Sequence, residues 1–238
     1  MGTADRSDTL SELVTKFVEE GDLVGSLVWL ADRCVGLPDV TASGLMVVDA
    51  EGALDVIAAS SRPARLLQEL EKKRFEGPAR DGFHGGRRID CADLAEADIR
   101  WPHYAPVARR FGMAAIHALP MRLVDRTGGV LTLFATSPGS LPDDVLEFGQ
   151  SLAYAAALGV GNHRARQSEI LAAQLQTALH SRVVIEQAKG VLAERATISV
   201  DEAFAALRQH ARNTGRKLGE VASSVLDGRL DVPAIQRP

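Results

Sequence analysis

In VIEQAKGVLAER (184–195) a lysine and a glycine stand side by side in a stretch whose other residues favour helix. Glycine inside a helix costs roughly 0.5–1 kcal/mol relative to alanine, so Gly190 needs a reason. Two are open. Glu186 pairs with Lys189 on a solvated face while Gly190 admits a neighbouring helix; or Gly190 lets a phosphate or nucleotide reach the backbone while Lys189 supplies charge. Arg182 lies on the same flank. Further along, Arg208, Arg212 and Arg216 recur every four residues and predict one cationic stripe beside the apolar face of a helix. Residues 203–219 hold four cations and no carboxylate, which favours phosphate contact over a merely solvated face. Phe204 reads as core, so polar and guanidinium groups would do most of the reading of a nucleic acid.

A second set of candidates lies earlier. His84, Trp101, Tyr104 and His117, with His103 between them, are side chains that could line a ligand pocket. Catalysis would require an acid–base pair or a nucleophile with its base. DGFHGG (81–86) offers Asp81 and His84 without an identifiable partner, so no enzyme activity and no cofactor are expected. Cys34 and Cys91 form no CxxC and no Cys/His cluster. Neither a disulfide framework nor a metal site is expected, and a reducing cytoplasm fits best.

The chain of 238 residues is 46% hydrophobic and 24% charged, the balance of a globular protein of one or two domains. Its N-terminus lacks a signal-peptide core, and no apolar run approaches the ~18 residues of a membrane span. The net charge of −4 is unevenly shared: residues 170–238 carry nine cations against seven carboxylates, residues 1–169 carry 18 against 24. A polyanionic partner is therefore expected for the C-terminal segment only.

The elements that must position these residues follow from periodicity. TLSE (9–12) has the form of a capping box opening a helix over 9–33. ASGLMVVDAEGALDVIAAS (42–60) predicts a hairpin around Asp49–Gly52, and RPARLLQELEKKRF predicts a helix. Residues 76–112 read as an irregular, Gly- and Pro-containing segment. MAAIHALPMRL and GGVLTLFAT predict paired strands joined by Asp125-Arg126-Thr127-Gly128. This order gives an α+β domain with an antiparallel sheet. From Pro142 to Glu194 only Gly159-Val160-Gly161 could interrupt a helix. The small residues of 148–163 would let helices pack closely. Leu171, Leu175, Ala178 and Leu179 form one seam, and Val184, Ile185, Ala188, Val191 and Leu192 another, rotated by roughly a third of a turn. The first seam, with 148–163, predicts a homodimer with a short coiled coil. SVDE (199–202) is a second capping box, with Val200, Phe204, Leu207 and Ala211 as the apolar face of its helix. KLGEVASSVL supplies a last amphipathic helix, completing a small bundle.

Residues 178–226 closely resemble the ANTAR domain, a three-helix RNA-binding module of transcription antitermination regulators. The matching residues are Arg182, Ile185-Glu186, Ala188-Lys189-Gly190, Leu192, Ala203-Phe204, Leu207-Arg208, Ala211, Leu218 and Val221-Ala222. Ala193 stands where the family usually has methionine. Residues 10–160 are similar to a GAF domain, through their element order and through FEGPARDGFHGGRRI (75–89). Ala79 stands where related proteins often carry cysteine, and the phosphodiesterase-associated NKFDE signature is absent. The resemblance implies a GAF-like sensor (10–160), a connecting helix (161–180) and an ANTAR bundle (178–228). It implies binding to paired stem-loops in leader transcripts, with Arg182, Lys189, Gly190 and Arg208 at motif positions and Arg212 and Arg216 beside them. It also implies an unknown small-molecule or protein signal at the sensor, and no membrane partner. A DNA-binding transcription factor and a dimerisation scaffold are the alternatives.

Overall fold

The computed structural model describes residues 3–123 and 126–230, with the side chains of residues 3–4, 19–20, 173, 175 and 177–180 outside that description. Contacts divide the chain into two units, Met1–Ala165 and Arg166–Pro238.

The first unit opens with two helices where the periodicity predicts one. Helix α1 (Thr3–Thr15) continues into a π-helical turn, Lys16–Glu20, and α2 spans Leu23–Cys34. Gly21, left-handed at φ 66°, breaks the run, and the Asp22 carboxylate caps α2 by accepting the Gly25 N–H at 3.0 Å. Thr9 is not a cap. It is fully buried inside α1, donates to Asp5 O at 2.8 Å and accepts from Arg33 Nε at 3.1 Å, tying α1 to α2.

A five-stranded antiparallel sheet follows, in the order β2-β1-β5-β4-β3, built from β1 (Ala42–Val48), β2 (Leu54–Ala59), β3 (Ile89–Cys91), β4 (Ala115–Leu123) and β5 (Arg126–Ala135). The first hairpin stands as expected. In the second, Arg126 and Thr127 belong to the strand ladder, paired with Leu123 and Arg122, while Asp125 lies outside the described residues. Segment 76–112 is more ordered than its composition suggests: it holds α4 (Pro78–Gly85), β3, a 3-10 turn (Leu94–Glu96) and α5 (Ala105–Arg110), after α3 (Arg62–Arg74). Alternation along β1, β4 and β5 creates two cores. Leu45, Leu119, Leu131 and Leu133 pack with α1, α2 and the start of α6 (Asp143–Ala196). Met46, Ile116, Val130 and Phe134 pack with α3, α4, α5 and the loops between them, around Trp101 and Tyr104.

Helix α6 passes through Gly159 and Gly161 without a break. These glycines serve packing: a methyl on Gly159 would sit 2.5 Å from the Phe17 ring, and one on Gly161 would sit 3.0 Å from a Leu123 methyl. Phe148, Leu152, Ala153, Ala156, Ala157 and Val160 are buried in the chain's own core. The small-residue face is thus occupied within one chain, while Tyr154 and Leu158 of the same segment are exposed. In the proposed seam Leu171 is exposed, whereas Leu175, Ala178 and Leu179 lie outside the described side chains.

The second unit joins the C-terminal part of α6 to α7 (Val200–Thr214) and α8 (Leu218–Leu226). Its core is Val184, Ala188, Leu192, Ala203, Leu207, Ala211, Val221, Ala222 and Val225. The capping box at Ser199 is complete: Glu202 N–H donates to Ser199 Oγ at 3.2 Å, and Ser199 N–H donates to Glu202 Oε2 at 2.8 Å. Leu207 and Ala211 are buried as expected, but Ala203 completes the stripe of α7 in place of Val200, which is 48% exposed, and Phe204, which is only partly buried.

Candidate nucleic-acid interface

The packing of α7 brings Phe204 to the rim of the bundle, and the cations gather on it. Lys189 Nζ lies 5.2 Å from the ring centroid, and the Arg208 guanidinium carbon 5.7 Å. Lys189 is also bound by Glu186, at 3.1 and 2.9 Å to its two carboxylate oxygens, and only 15% of its side chain is exposed. Its stem is buried and its charge is held at the surface, as an amphipathic side chain at a rim permits. Phe204 is the residue that the sequence reading misses, because an aromatic between Ala203 and Ala205 looks like the best core candidate of its turn.

Gly190 is exposed on the same helix, and nothing lies within 4 Å of a methyl placed there. The reading in which it admits a neighbouring helix is thereby corrected. Close approach occurs instead at Gly219 on α8, where a methyl would meet Ser181 Oγ at 3.4 Å. Arg182 is exposed two turns before Gly190, on the face shared with Glu186 and Lys189, and Arg212 is exposed one turn beyond Arg208.

Arg216 departs from the predicted stripe. Helix α7 ends at Thr214, and left-handed Gly215 closes it by a Schellman arrangement: Gly215 N–H reaches Arg212 O at 3.3 Å and Arg216 N–H reaches Ala211 O at 3.1 Å. The helical repeat therefore stops before Arg216, whose guanidinium turns to α8 and donates to Ser224 Oγ at 2.8 Å. Arg216 ties two helices together.

In the first unit the four predicted pocket residues are not brought to one site. Trp101 and Tyr104 are buried edge to face, 6.2 Å apart, with Trp101 Nε1 donating to Asp81 Oδ2 at 3.2 Å. His117 is buried on the opposite face of the sheet, in the alternation that includes Leu119. It accepts the Leu141 N–H at Nε2 (3.4 Å), which leaves Nδ1–H to donate to Asp90 Oδ1 at 2.9 Å. That bond holds the Asp90 carboxyl below its ordinary range. His84 is exposed, with Nδ1 against Arg80 O at 2.9 Å. Asp81 is engaged by Arg100 at 2.7 Å and by Trp101, so it does not pair with His84. His103 binds Glu76 at 2.9 Å.

The most perturbed carboxyl of this unit is Glu71, on α3. Burial pushes it up to about 8, against the N–H groups of Arg80 and Ala79 and the Tyr104 hydroxyl, which pull it down. Glu71 Oε2 accepts the Ala79 N–H at 2.9 Å and the Arg80 N–H at 3.2 Å, so it closes the N-terminus of α4. Ala79 occupies this cap with a buried methyl. Among the described residues no group of three His, Cys, Asp or Glu side chains could hold a metal ion, and no helix is long and apolar enough to cross a membrane.

Comparison with known proteins matches a GAF domain to residues 4–160 and an ANTAR domain to residues 173–226. The fold of the first unit is similar to that of the GAF domain of an Acinetobacter phosphoenolpyruvate-protein phosphotransferase, at 14% identity over 69% of this chain and 97% of that one (TM-score 0.55). It is similar to the GAF domain of the Coxiella burnetii phosphoenolpyruvate-protein phosphotransferase, at 16% identity over 67% and 96% (TM-score 0.52). A free methionine-R-sulfoxide reductase from Neisseria meningitidis, solved with its substrate, also matches at 13% identity over 68% and 91% (TM-score 0.53). These likenesses establish the fold alone. No curated protein sequence matches the chain.

Proposed function

The chain belongs to the GAF domain family and carries an ANTAR domain, and we propose that its bundle binds hairpin loops in nascent leader transcripts under the control of the GAF sensor. The observation that carries this reading is Phe204, partly exposed between α6 and α7 with Lys189 and Arg208 on its ring. Loop nucleotides are unstacked, so they can lie on an aromatic face while nearby cations take their phosphates. In this mechanism a homodimer presents two bundles to paired stem-loops. The hairpins so stabilised keep a terminator from forming, and a signal at the sensor alters how the bundles are presented.

The dimer reading rests on other residues than the small-residue face of α6. Val14 and Val18 lie one turn apart and are exposed, as are Val24 and Val28 on α2. These apolar pairs on the N-terminal helices are a surface that a second copy would cover. Sedimentation of a monomer at tens of micromolar, by order of magnitude for a weak apolar interface, would count against it. Catalysis has no part in the proposal: Asp81 and His84 serve separate partners, and Ala79 offers no thiol. A reducing cytoplasm suits the two free cysteines, Cys34 and Cys91.

Competition binding tests the reading. Stem-loop RNA should displace labelled stem-loop RNA, duplex DNA should not, and Phe204→Leu should weaken the interaction. Equal competition by duplex DNA would favour the DNA-binding alternative, although α8 offers only Glu220 as an exposed charge. Binding to neither would leave the scaffold reading.

A further inference from the structure

The first unit carries more carboxylates than cations, and six of its arginines, Arg6, Arg33, Arg65, Arg88, Arg100 and Arg109, each hold an Asp or Glu. Among the described residues two others, Arg122 and Arg126, line one cleft without such a partner. Helix α4 ends at Gly85, and left-handed Gly86 (φ 58°) turns the chain back so that Arg87 folds beside Gly85. The end of the β4–β5 hairpin faces this turn. Between them lies an open cleft of about 450 Å³, lined by Phe83, His84, Arg122, Arg126 and Thr127 with the Gly85–Gly86 backbone. Arg122 Nη1 donates to Gly86 O at 3.2 Å, which fixes one edge of its guanidinium and leaves the rest open. Among the described residues no carboxylate pairs with Arg87, Arg122 or Arg126; Asp125, next to Arg126 in the chain, lies outside them.

We propose that this cleft is a binding site for a phosphorylated small molecule, held by Arg122 and Arg126. A guanidinium presents a planar fork of N–H donors that matches two phosphate oxygens at once. The Thr127 hydroxyl adds a donor, and His84 Nε2 adds another when the ring is protonated, Nδ1–H being held by Arg80 O at 2.9 Å. Phe83, edge to face with His84 at 5.3 Å, gives an apolar wall for the organic part of the ligand. The volume lies within the ordinary range for small-molecule sites. Concavity favours a small ligand over a long polyanion, which would want an extended groove. That this ligand is the sensor's signal rests on the function proposed above; that it binds does not.

Titration calorimetry of the full chain with inorganic pyrophosphate, ATP and adenosine tests the site. Pyrophosphate and ATP should bind with Kd below ~1 mM and adenosine should not. Arg126→Ser and Arg122→Ser should each weaken binding about tenfold or more, with little change in melting temperature, because each removes a charge-assisted contact. Arg65→Ser, at a paired arginine elsewhere, should bind as the parent does. Failure of both pyrophosphate and ATP to bind overturns the proposal, as does binding that survives both cleft substitutions. Loss of stem-loop RNA affinity in Arg126→Ser with no phosphate compound present overturns it too, assigning the cleft to RNA. If pyrophosphate binds and Arg126→Ser abolishes it while RNA affinity is the same with and without pyrophosphate, the site stands and the sensor reading falls.

Discussion

Lys189 on α6 and Phe204 on α7 meet across the bundle rim with 5.2 Å between the ammonium nitrogen and the ring centroid. The contact makes the aromatic both a structural clasp and a platform. Phe204→Leu keeps most of the buried volume and removes the π-face. It should lower affinity for every hairpin loop by about 1–3 kcal/mol per stacked base, leave the salt dependence of binding as it was, and change the melting temperature little. Filter binding across a salt series, with thermal melts, measures all three.

Charge at the same rim should show the complementary signature. Lys189→Ala and Arg208→Ala should each lower the slope of log K against log [salt] by ~0.7, the single-strand value per neutralised phosphate, and weaken all RNA ligands alike. Glu186 holds Lys189 at 2.9 Å and opposes a phosphate there, so Glu186→Gln should tighten binding. A slope unchanged in both alanine variants would remove phosphate contact from their roles.

The hairpins, the capping box at Ser199 and the bundle core were legible because alternation, caps and helical spacing report the strongest local preferences. On α7 the periodicity places Leu207 and Ala211 correctly and Val200 and Phe204 not. The core shared with Ala188 and Ala222 takes the small Ala203, and the bulkier Phe204 is left at the rim although it is the more hydrophobic. The helix over 9–33 was misread because the apolar pattern continues through the break at Gly21–Asp22. In segment 76–112 the elements are short and depend on distant groups. Gly77 (φ 142°) lets the chain pass where a methyl would lie 2.5 Å from the Glu71 carboxyl, a closeness no local pattern announces. The cation cleft is visible only as His84, because Arg122 and Arg126 stand on a hairpin far in sequence from the Gly85–Gly86 turn that they face.

Burial of Glu71 makes stability depend on pH in an unusual window. Its carboxyl is raised from an ordinary 4.5 to about 8, so between these values the folded chain keeps a proton that the unfolded chain releases. Stability from this group is full below pH 4.5 and is lost as pH rises toward and through 8, by on the order of 5 kcal/mol. The lowered carboxyls, such as Asp90 and Glu202, act in the opposite sense and below that window. Glu71→Gln retains an acceptor for the α4 N-terminus and should flatten the decline between pH 5 and 8 in urea unfolding. An identical decline in the variant would place its cause elsewhere.

The Gly159 contact gives a stability test within the first unit. Alanine there gains roughly 0.5–1 kcal/mol in helix propensity but puts a methyl 2.5 Å from the Phe17 ring. Overpacking of this kind costs about 1–3 kcal/mol, so Gly159→Ala should lower the melting temperature. Gly161→Ala, 3.0 Å from the end of the Leu123 side chain, should cost less. The order of the two melting temperatures checks the packing directly.

Gly190 lies exposed beside Lys189 on α6. A methyl there would meet nothing within 4 Å, so packing of a neighbouring helix no longer accounts for the glycine. Alanine should therefore stabilise α6 by roughly 0.5–1 kcal/mol, and the melting temperature should rise. If the residue is unused in binding, RNA affinity should stay the same. If loop nucleotides approach the backbone beside Lys189, the added methyl should weaken binding while stability rises, and opposite signs in two measurements on one variant cannot come from misfolding. We expect a higher melting temperature with weaker RNA binding. Unchanged affinity at higher stability would leave Lys189, Phe204 and Arg208 as the interface and take Gly190 out of it.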